Sequence, residues 1–133
     1  MEHFDVIIVG AGISGVGAAY HLLKHCPSKT FAILEAREET GGTWDLFRYP
    51  GIRSDSDMFT LGYGFHPWRE PKVIADGPSI KSYVNATARE YGIDRHIRFS
   101  TRVEAIAFDS AAGRWTVTAR TRDGDRRYTC GFL

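Results

Sequence analysis

The chain has 133 residues, of which 43% are hydrophobic and 25% are charged, and its formal net charge is +1. These values are typical of one folded domain and exclude disordered and fibrous chains. The longest apolar runs, such as residues 6–9 and 31–34, are far shorter than the roughly 20 residues that cross a bilayer. Lysines and arginines are spread along the chain. We therefore predict no transmembrane segment and no nucleic-acid partner.

The cysteines and histidines predict neither a disulfide nor a metal site. Cys26 and Cys130 lie far apart and form no C-x-x-C pair, so two reduced thiols in a reducing compartment are expected. His21 and His25 are four residues apart, but no Glu lies between them to complete a zinc-binding helix. The sequence therefore predicts a cytoplasmic protein without a bound metal.

A strand, a glycine turn and a helix open the chain. Residues 4–9 form a short β-branched run, which predicts a buried strand. Residues 14–25 are rich in Ala and Leu, and their apolar positions have near-helical spacing, which predicts a helix directly after the glycine turn. Pro27 follows this helix, and residues 30–35 predict a second apolar strand.

The middle of the chain predicts a long loop followed by a helix. Residues 36–78 lack a clear period and hold many of the glycines and prolines, so an ordered, functional loop is expected. Pro78 and Gly92 flank a helix predicted over residues 79–91. The remainder is rich in β-branched and aromatic residues, and further strands are predicted over residues 97–108, 115–122 and 128–133.

This order of elements predicts an α/β fold with a Rossmann-like, doubly wound parallel sheet. About three strands are expected to join that sheet, and the later strands are expected to attach to it as a β-meander. A complete sheet of this kind has five or six strands. The last residues, 128–133, resemble the start of an apolar strand. We therefore expect an N-terminal fragment of a longer protein, incomplete at its C-terminus.

The first glycine turn carries a dinucleotide-binding motif, Gly10-Ala11-Gly12-Ile13-Ser14-Gly15. Gly10 makes the tight turn, Gly12 lets the backbone approach a pyrophosphate, and Gly15 lets the helix pack on the strand. Unpaired N-H groups at the positive end of the helix attract phosphates, and Ser14 can add a hydroxyl or amide contact. The motif alone is weak, but its position between a strand and a helix supports it.

Glu35 ends the second strand about 20 residues after the motif, the spacing at which an acid binds ribose hydroxyls. Its negative charge would repel a 2′-phosphate, so FAD or NAD is expected at this site rather than NADP. The alternative is a structural glycine turn beside an exposed Glu.

A second glycine pair favours FAD over NAD as the cofactor. Gly41-Gly42-Thr43-Trp44 follows the ribose acid, and paired glycines let the backbone approach the far half of a long cofactor. Trp44 could cover a ring system there. The alternative is that Trp44 belongs to the core and that the Asp-rich run over residues 55–57 is a solvated turn.

Together these motifs resemble a known family. GAGISG, Glu35, GGTW and RYPGIRSDSDM resemble the class B flavoprotein monooxygenases, which include Baeyer-Villiger and flavin-containing monooxygenases. GGTWDLFRYPGIRSDSDMFTLGY and YGIDRHIRF resemble the ethionamide-activating type in particular. The similarity covers essentially the whole chain, so residues 1–133 would be the N-terminal part of an FAD-binding domain, without the NADPH-binding domain.

The resemblance implies an FAD enzyme that uses NADPH and O2 to insert one oxygen atom into a ketone, giving an ester, or to add it to sulfur. In such enzymes NADPH reduces the flavin, O2 adds at C4a, and the peroxyflavin transfers oxygen. The small-molecule ketone or sulfur compound and O2 would be the partners. The second glycine motif for NADPH, the histidine-tryptophan fingerprint and the catalytic arginine do not occur in these residues. The fragment alone is therefore expected to be inactive.

The resemblance also assigns residues to the cofactors. Contacts with FAD are implied for Ser14, Glu35, Thr43, Trp44, Asp45, Leu46 and Asp55, and for the backbone of Val103. The nicotinamide end of NADP would border Arg53, Ser54 and Asp55. Asp55 matches the family's active-site aspartate beside the flavin and is the one catalytic residue implied.

Two other classes of protein compete with this interpretation. A non-catalytic module that binds FAD or NAD fits the short length, but it has no need of the segment from GGTW to SDSDM. An NAD-dependent dehydrogenase is disfavoured because a glycine doublet follows Glu35.

Overall fold

The computed structural model describes every residue from Met1 to Leu133. The strands are β1 (Glu2–Val9), β2 (Phe31–Leu34), β3 (Ile97–Arg98), β4 (Arg102–Asp109), β5 (Arg114–Thr121) and β6 (Gly124–Phe132). The helices are α1 (Ile13–His25), α2 (Thr43–Leu46), α3 (Met58–Leu61) and α4 (Gly77–Glu90), and a short 3-10 turn (Asp94–His96) precedes β3. The predicted α/β fold is confirmed. None of these helices has both the length and the apolar character needed to cross a membrane.

All six strands form one sheet in the order β3-β2-β1-β6-β5-β4. The neighbours β3, β2, β1 and β6 run parallel, whereas β6, β5 and β4 form an antiparallel meander. Cys130 of β6 pairs with Phe4 of β1 on one side and with Trp115 of β5 on the other. The predicted meander is therefore continuous with the parallel sheet, and the parallel part has four strands rather than about three.

One face of the sheet packs against α1 and α4. Val16 and Ala19 of α1 are fully buried, and they belong to the same apolar cluster as Ile80 and Val84 of α4 and Ile33 of β2. The two long helices therefore have fixed positions relative to the carboxyl ends of β1 and β2.

A second buried cluster joins the parallel strands to the meander. Ile7 of β1 and Leu34 of β2 share a buried cluster with Val117 of β5. The N-H group of Thr101 donates to the carbonyl oxygen of Glu35 (2.9 Å), which ties the start of β4 to the end of β2. The meander thus reaches the same edge of the sheet as the first glycine turn.

The prediction of one strand over residues 97–108 is wrong, because the chain breaks between β3 and β4. Ser100 has a φ of 49°, a left-handed conformation that interrupts an extended strand. Its N-H group donates to the carbonyl oxygen of Arg37 at 3.0 Å. The break therefore follows from long-range backbone hydrogen bonds with the segment after β2.

The loop predicted over residues 36–78 contains two helices of four residues each, α2 and α3. Helices this short show no apolar period, which is why the sequence did not indicate them. Asp57 caps α3, since its carboxylate accepts the N-H group of Thr60 at 3.0 Å. Apart from isolated β-bridges between Arg53 and Asp76 and between Tyr63 and His66, and the start of α4 at Gly77, the rest of the segment has no regular structure, as predicted.

The position of the core can be tested at Ile80, which is 0% exposed between α4 and the sheet. Ile80→Ala should lower the free energy of unfolding by about 3 kcal/mol, because the deletion leaves a cavity. Ile106→Ala is the matched control, since Ile106 is 44% exposed on β4, and its effect should stay below about 1 kcal/mol. Urea unfolding measures both, and equal losses would contradict this core.

Candidate functional site

The first glycine turn joins β1 to α1. Gly10 has a φ of 97°, which glycine adopts without strain, and its N-H group donates to the carbonyl oxygen of Leu34 at 2.9 Å. A Cβ atom at Gly15 would lie 2.0 Å from the carbonyl oxygen of Gly10. The start of the helix therefore packs directly on the backbone of the turn, and Gly15 cannot be replaced without moving it.

The N-terminus of α1 is free to receive an anion. Gly12 occupies the capping position, so no side chain caps the helix, and its first turn carries no acidic residue. The first N-H groups of a helix lack an intrahelical acceptor and lie at the positive end of its dipole. Ser14 is exposed in this first turn. These are the conditions under which helices bind phosphate.

The second glycine turn lies against the first. Gly41 and Gly42 have φ values of 139° and 56°, and the N-H group of Gly41 donates to the carbonyl oxygen of Ala11 at 3.0 Å. A Cβ atom at Gly42 would lie 3.0 Å from the Cα atom of Gly12. The two turns therefore touch backbone to backbone, and α2 begins immediately after this contact.

The two turns line one cavity of about 260 Å³, which we call the glycine cavity. Six predicted cofactor-binding residues line it, namely Gly10, Gly12, Ser14, Gly15, Thr43 and Trp44. The rest of its lining consists of Val9, Ile13, Gly41 and Gly42. The fold thus brings together two motifs that lie far apart in the sequence.

Glu35 lies at the end of β2, next to the first glycine turn, and is only 5% exposed. Its Oε1 atom accepts the N-H group of Ala11 at 2.9 Å, and its Oε2 atom accepts the N-H group of Arg37 at 2.8 Å. A carboxylate oxygen has two lone pairs, so each oxygen keeps one acceptor position. Glu35 therefore orders the turn and still has acceptors for ribose hydroxyls.

The carboxylate of Asp45 lies outside the lining of the glycine cavity and contacts three cations. Its oxygens lie 2.6 Å from Arg37, 2.7 Å from Arg48 and 2.9 Å from Lys81, and its side chain is 2% exposed. Burial alone would raise the pKa of Asp45, but the hydrogen bonds from these cations outweigh it and hold the pKa well below its usual range. Sequence reasoning missed the three cations.

Arg53 lines a second, larger groove, and Leu46 lies at the end of α2 near it. Trp44 is half-buried and lines both the glycine cavity and a larger groove of about 990 Å³, which Arg53 also lines. Leu46 is 52% exposed at the end of α2. Trp44 therefore lines both cavities and also packs against the apolar core cluster.

Seven of the thirteen predicted cofactor-binding residues do not line the glycine cavity, namely Glu35, Asp45, Leu46, Arg53, Ser54, Asp55 and Val103. Ser54 is buried, and its Oγ atom donates to the carbonyl oxygen of Ser56 at 2.8 Å. Asp55 is exposed. Val103 lies in β4, two residues after the contact of Thr101 with the end of β2. The roles of these residues toward a cofactor stay predictions.

The ion cluster predicts a pH dependence. The native pKa of Asp45 is lowered, so its contribution to stability is fully present above the unfolded value of about 3.9 and is lost as the pH falls through the native value. Asp45→Asn should lower the free energy of unfolding by about 2 kcal/mol at neutral pH, because charge-assisted hydrogen bonds are lost. The difference from wild type should shrink in unfolding curves recorded below about pH 4.

Asp125→Asn is the control for this prediction, because Asp125 is 61% exposed and lies 3.4 Å from Arg120. Such an exposed pair contributes little to stability. If Asp45→Asn lowered the free energy of unfolding at neutral pH no more than this control does, the cluster would not stabilise the fold as predicted.

Comparisons with known proteins agree with this geometry. Residues 8–87, more than half of the chain, match the family model described as "NAD(P)-binding Rossmann-like domain". Over 99% of its length the chain is 57% identical to the FAD-containing monooxygenase EthA of Mycolicibacterium smegmatis. It is 59% identical, over the same share, to EthA of Mycobacterium tuberculosis. The chain spans 27% of the length of each of these relatives.

Solved structures show the same likeness. A structure described as "Oxidized steroid monooxygenase bound to NADP" superposes with a TM-score of 0.85 at 33% identity, covering 96% of this chain and 25% of that one. A complex of OTEMO with FAD and NADP gives a TM-score of 0.84 at 32% identity and covers 96% and 24%. The predicted resemblance to flavoprotein monooxygenases is therefore confirmed. By its fold, its glycine motif and its matched residues, the chain belongs to the NAD(P)-binding Rossmann-like domain family.

Proposed function

We propose that this chain is the FAD-binding part of a monooxygenase that uses NADPH and O2. The contact between the two glycine turns, beside the uncapped start of α1, is the observation that carries the proposal. Relatives over nearly the whole chain are named FAD-containing monooxygenases. OTEMO, which shares the fold at 32% identity, is described in complex with FAD and NADP.

The residues present fit the ADP half of FAD. The turn at Gly12 and the N-H groups after it would hold the pyrophosphate, because no Cβ atom obstructs the approach. The two acceptor positions left on Glu35 would bind the ribose hydroxyls. The backbone of Val103, close to the end of β2, would meet the adenine.

The flavin half would extend along the second glycine turn toward the larger groove. Thr43 and Trp44 lie on that side of the glycine cavity, and Trp44 continues into the groove that Arg53 also lines. Asp45 connects this turn to α4 through its ion pair with Lys81. Leu46, at the exposed end of α2, completes the contacts proposed for the flavin half.

NADPH requires a second site. The carboxylate of Glu35 disfavours the 2′-phosphate of NADPH in the glycine cavity. The exposed residues Arg53 and Asp55, with Ser54 between them, would border its nicotinamide end instead.

Bound FAD would supply the redox chemistry, accepting a hydride from NADPH and activating O2 for transfer to a ketone or a sulfur atom. The chain's own part is to bind and orient. A carboxylate at Asp55 can hold a cationic group in place, and a fixed cation stabilises the negative charge that develops during oxygen transfer. Asp55 is exposed and free to face such a partner.

An NAD-dependent dehydrogenase fits the structure less well. The catalytic Tyr-x-x-x-Lys spacing that such a dehydrogenase would need occurs at Tyr20 and Lys24 of α1. The ring of Tyr20 stacks on Phe65 with centroids 3.6 Å apart, and neither Tyr20 nor Lys24 lines the glycine cavity. A non-catalytic module that binds FAD or NAD would have the same glycine cavity. Only an activity assay therefore distinguishes such a module from an enzyme.

Gly12→Val should abolish the retention of FAD, because a branched side chain there fills the path of the pyrophosphate. A Cβ atom at Gly12 lies 3.6 Å from Gly42, an ordinary contact, and thermal unfolding of the flavin-free variant checks that the fold persists. Flavin absorbance of the purified product of the complete open reading frame measures the effect. Gly64→Val is the control, since a Cβ atom at Gly64 meets nothing within 4 Å. Wild-type flavin content in Gly12→Val would refute the site.

Asp55→Ala in the same complete product should keep FAD but lower oxygenation about a hundredfold, the scale on which one stabilising group acts. The assay follows O2-dependent NADPH oxidation together with ester formation from a ketone or oxide formation from a thioether. Asp123→Ala, a change of an exposed acid in the turn before β6, is the control. Unchanged product formation would show that Asp55 takes no part in the chemistry, and a wild type that forms no product would overturn the monooxygenase proposal.

A further inference from the structure

The second glycine turn is fastened at both ends by α4. The Nδ2 atom of Asn85 donates to the carbonyl oxygen of Thr40 at 3.0 Å, just before the turn. The Nζ atom of Lys81 lies 2.9 Å from the Oδ1 atom of Asp45, just after the turn. Because α4 is anchored in the apolar core through Ile80, these two side chains connect the turn to a fixed element.

The stem of Lys81 also packs beside the turn itself. A Cβ atom at Gly41 would lie 3.2 Å from the Cγ atom of Lys81 and 3.3 Å from the Cβ atom of Asp45. The aliphatic part of Lys81 therefore occupies the space on the α4 side of Gly41. The turn therefore has no free space on the side of Lys81.

Lys81 is also the long-range member of the ion cluster. Arg37 and Arg48, the other two cations on Asp45, belong to the same loop region as Asp45 and are 38% and 64% exposed. Lys81 is 26% exposed and comes from α4, and it also pairs with Glu39. Removing Lys81 leaves Asp45 neutralised by the arginines but breaks the link between Asp45 and α4, so that only the link from Asn85 to Thr40 remains.

We propose that Lys81 is a positioning residue for dinucleotide binding, and that Asn85 assists it. Acting through Asp45, Lys81 holds the second glycine turn at the distance from Gly12 that the pyrophosphate requires. The inference rests on the proposed function, since it assumes that FAD binds between the two turns. A preorganised backbone loses less conformational entropy when a ligand binds. Loosening the turn should therefore lower the affinity for FAD more than it lowers the stability of the fold.

The test measures FAD affinity in the product of the complete open reading frame after removal of its flavin. Lys81→Met keeps the stem and removes the charge. Its dissociation constant for FAD, from quenching of flavin fluorescence, should rise about tenfold, within the range of couplings in one salt-bridge network. Lys81→Arg should recover most of the affinity. Lys29→Met, in an exposed turn, should leave it unchanged.

Thermal unfolding of the flavin-free variants separates positioning from folding. Lys81→Met should unfold close to the wild-type temperature while binding FAD more weakly. Wild-type affinity in Lys81→Met, or an affinity in Lys81→Arg as low as in Lys81→Met, would overturn the inference. If Lys81→Met fails to fold, Asn85→Ala carries the test, and unchanged affinity there would overturn it equally. A wild type that binds no FAD would overturn the proposed function itself.

Discussion

Two glycine turns, one after β1 and one before α2, meet backbone to backbone, and the candidate site exists because of that contact. A Cβ atom at Gly42 would come within 3.0 Å of Gly12, and the φ of Gly42 is 56°, so both the close approach and the backbone conformation favour glycine. The contact places the uncapped start of α1 on the same cavity as Thr43 and Trp44. The uncapped helix end and the ring of Trp44 thereby lie on one site.

The elements that the sequence predicted well are those whose signals are local. The helix expected over residues 79–91 is observed as Gly77–Glu90, because Pro78, the apolar period and Gly92 all lie within or next to it. The same holds for β1, the first glycine turn and α1. The glycine motif could be interpreted because each of its residues has a separate steric reason that does not depend on distant contacts.

The features that the sequence did not reveal depend on contacts between distant segments. The break at Ser100 arises from backbone hydrogen bonds to the segment after β2, and the double role of β6 arises from its pairing with both β1 and β5. The ion pair of Lys81 with Asp45 joins α4 to the second glycine turn. No periodicity or spacing within one segment indicates such pairs. The contact of Asp45 with FAD stays a prediction, and in the structure its carboxylate pairs with three cations.

In the proposed complex the ADP part of FAD binds at the first glycine turn and its pyrophosphate lies between the two turns, and comparing FAD with FMN tests this most directly. FMN carries the same ring system but lacks the second phosphate, the ribose and the adenine. Titration of the flavin-free product of the complete open reading frame should show FMN binding at least about a hundredfold more weakly than FAD, a difference of about 2.7 kcal/mol. Equal affinities for FMN and FAD would contradict the account.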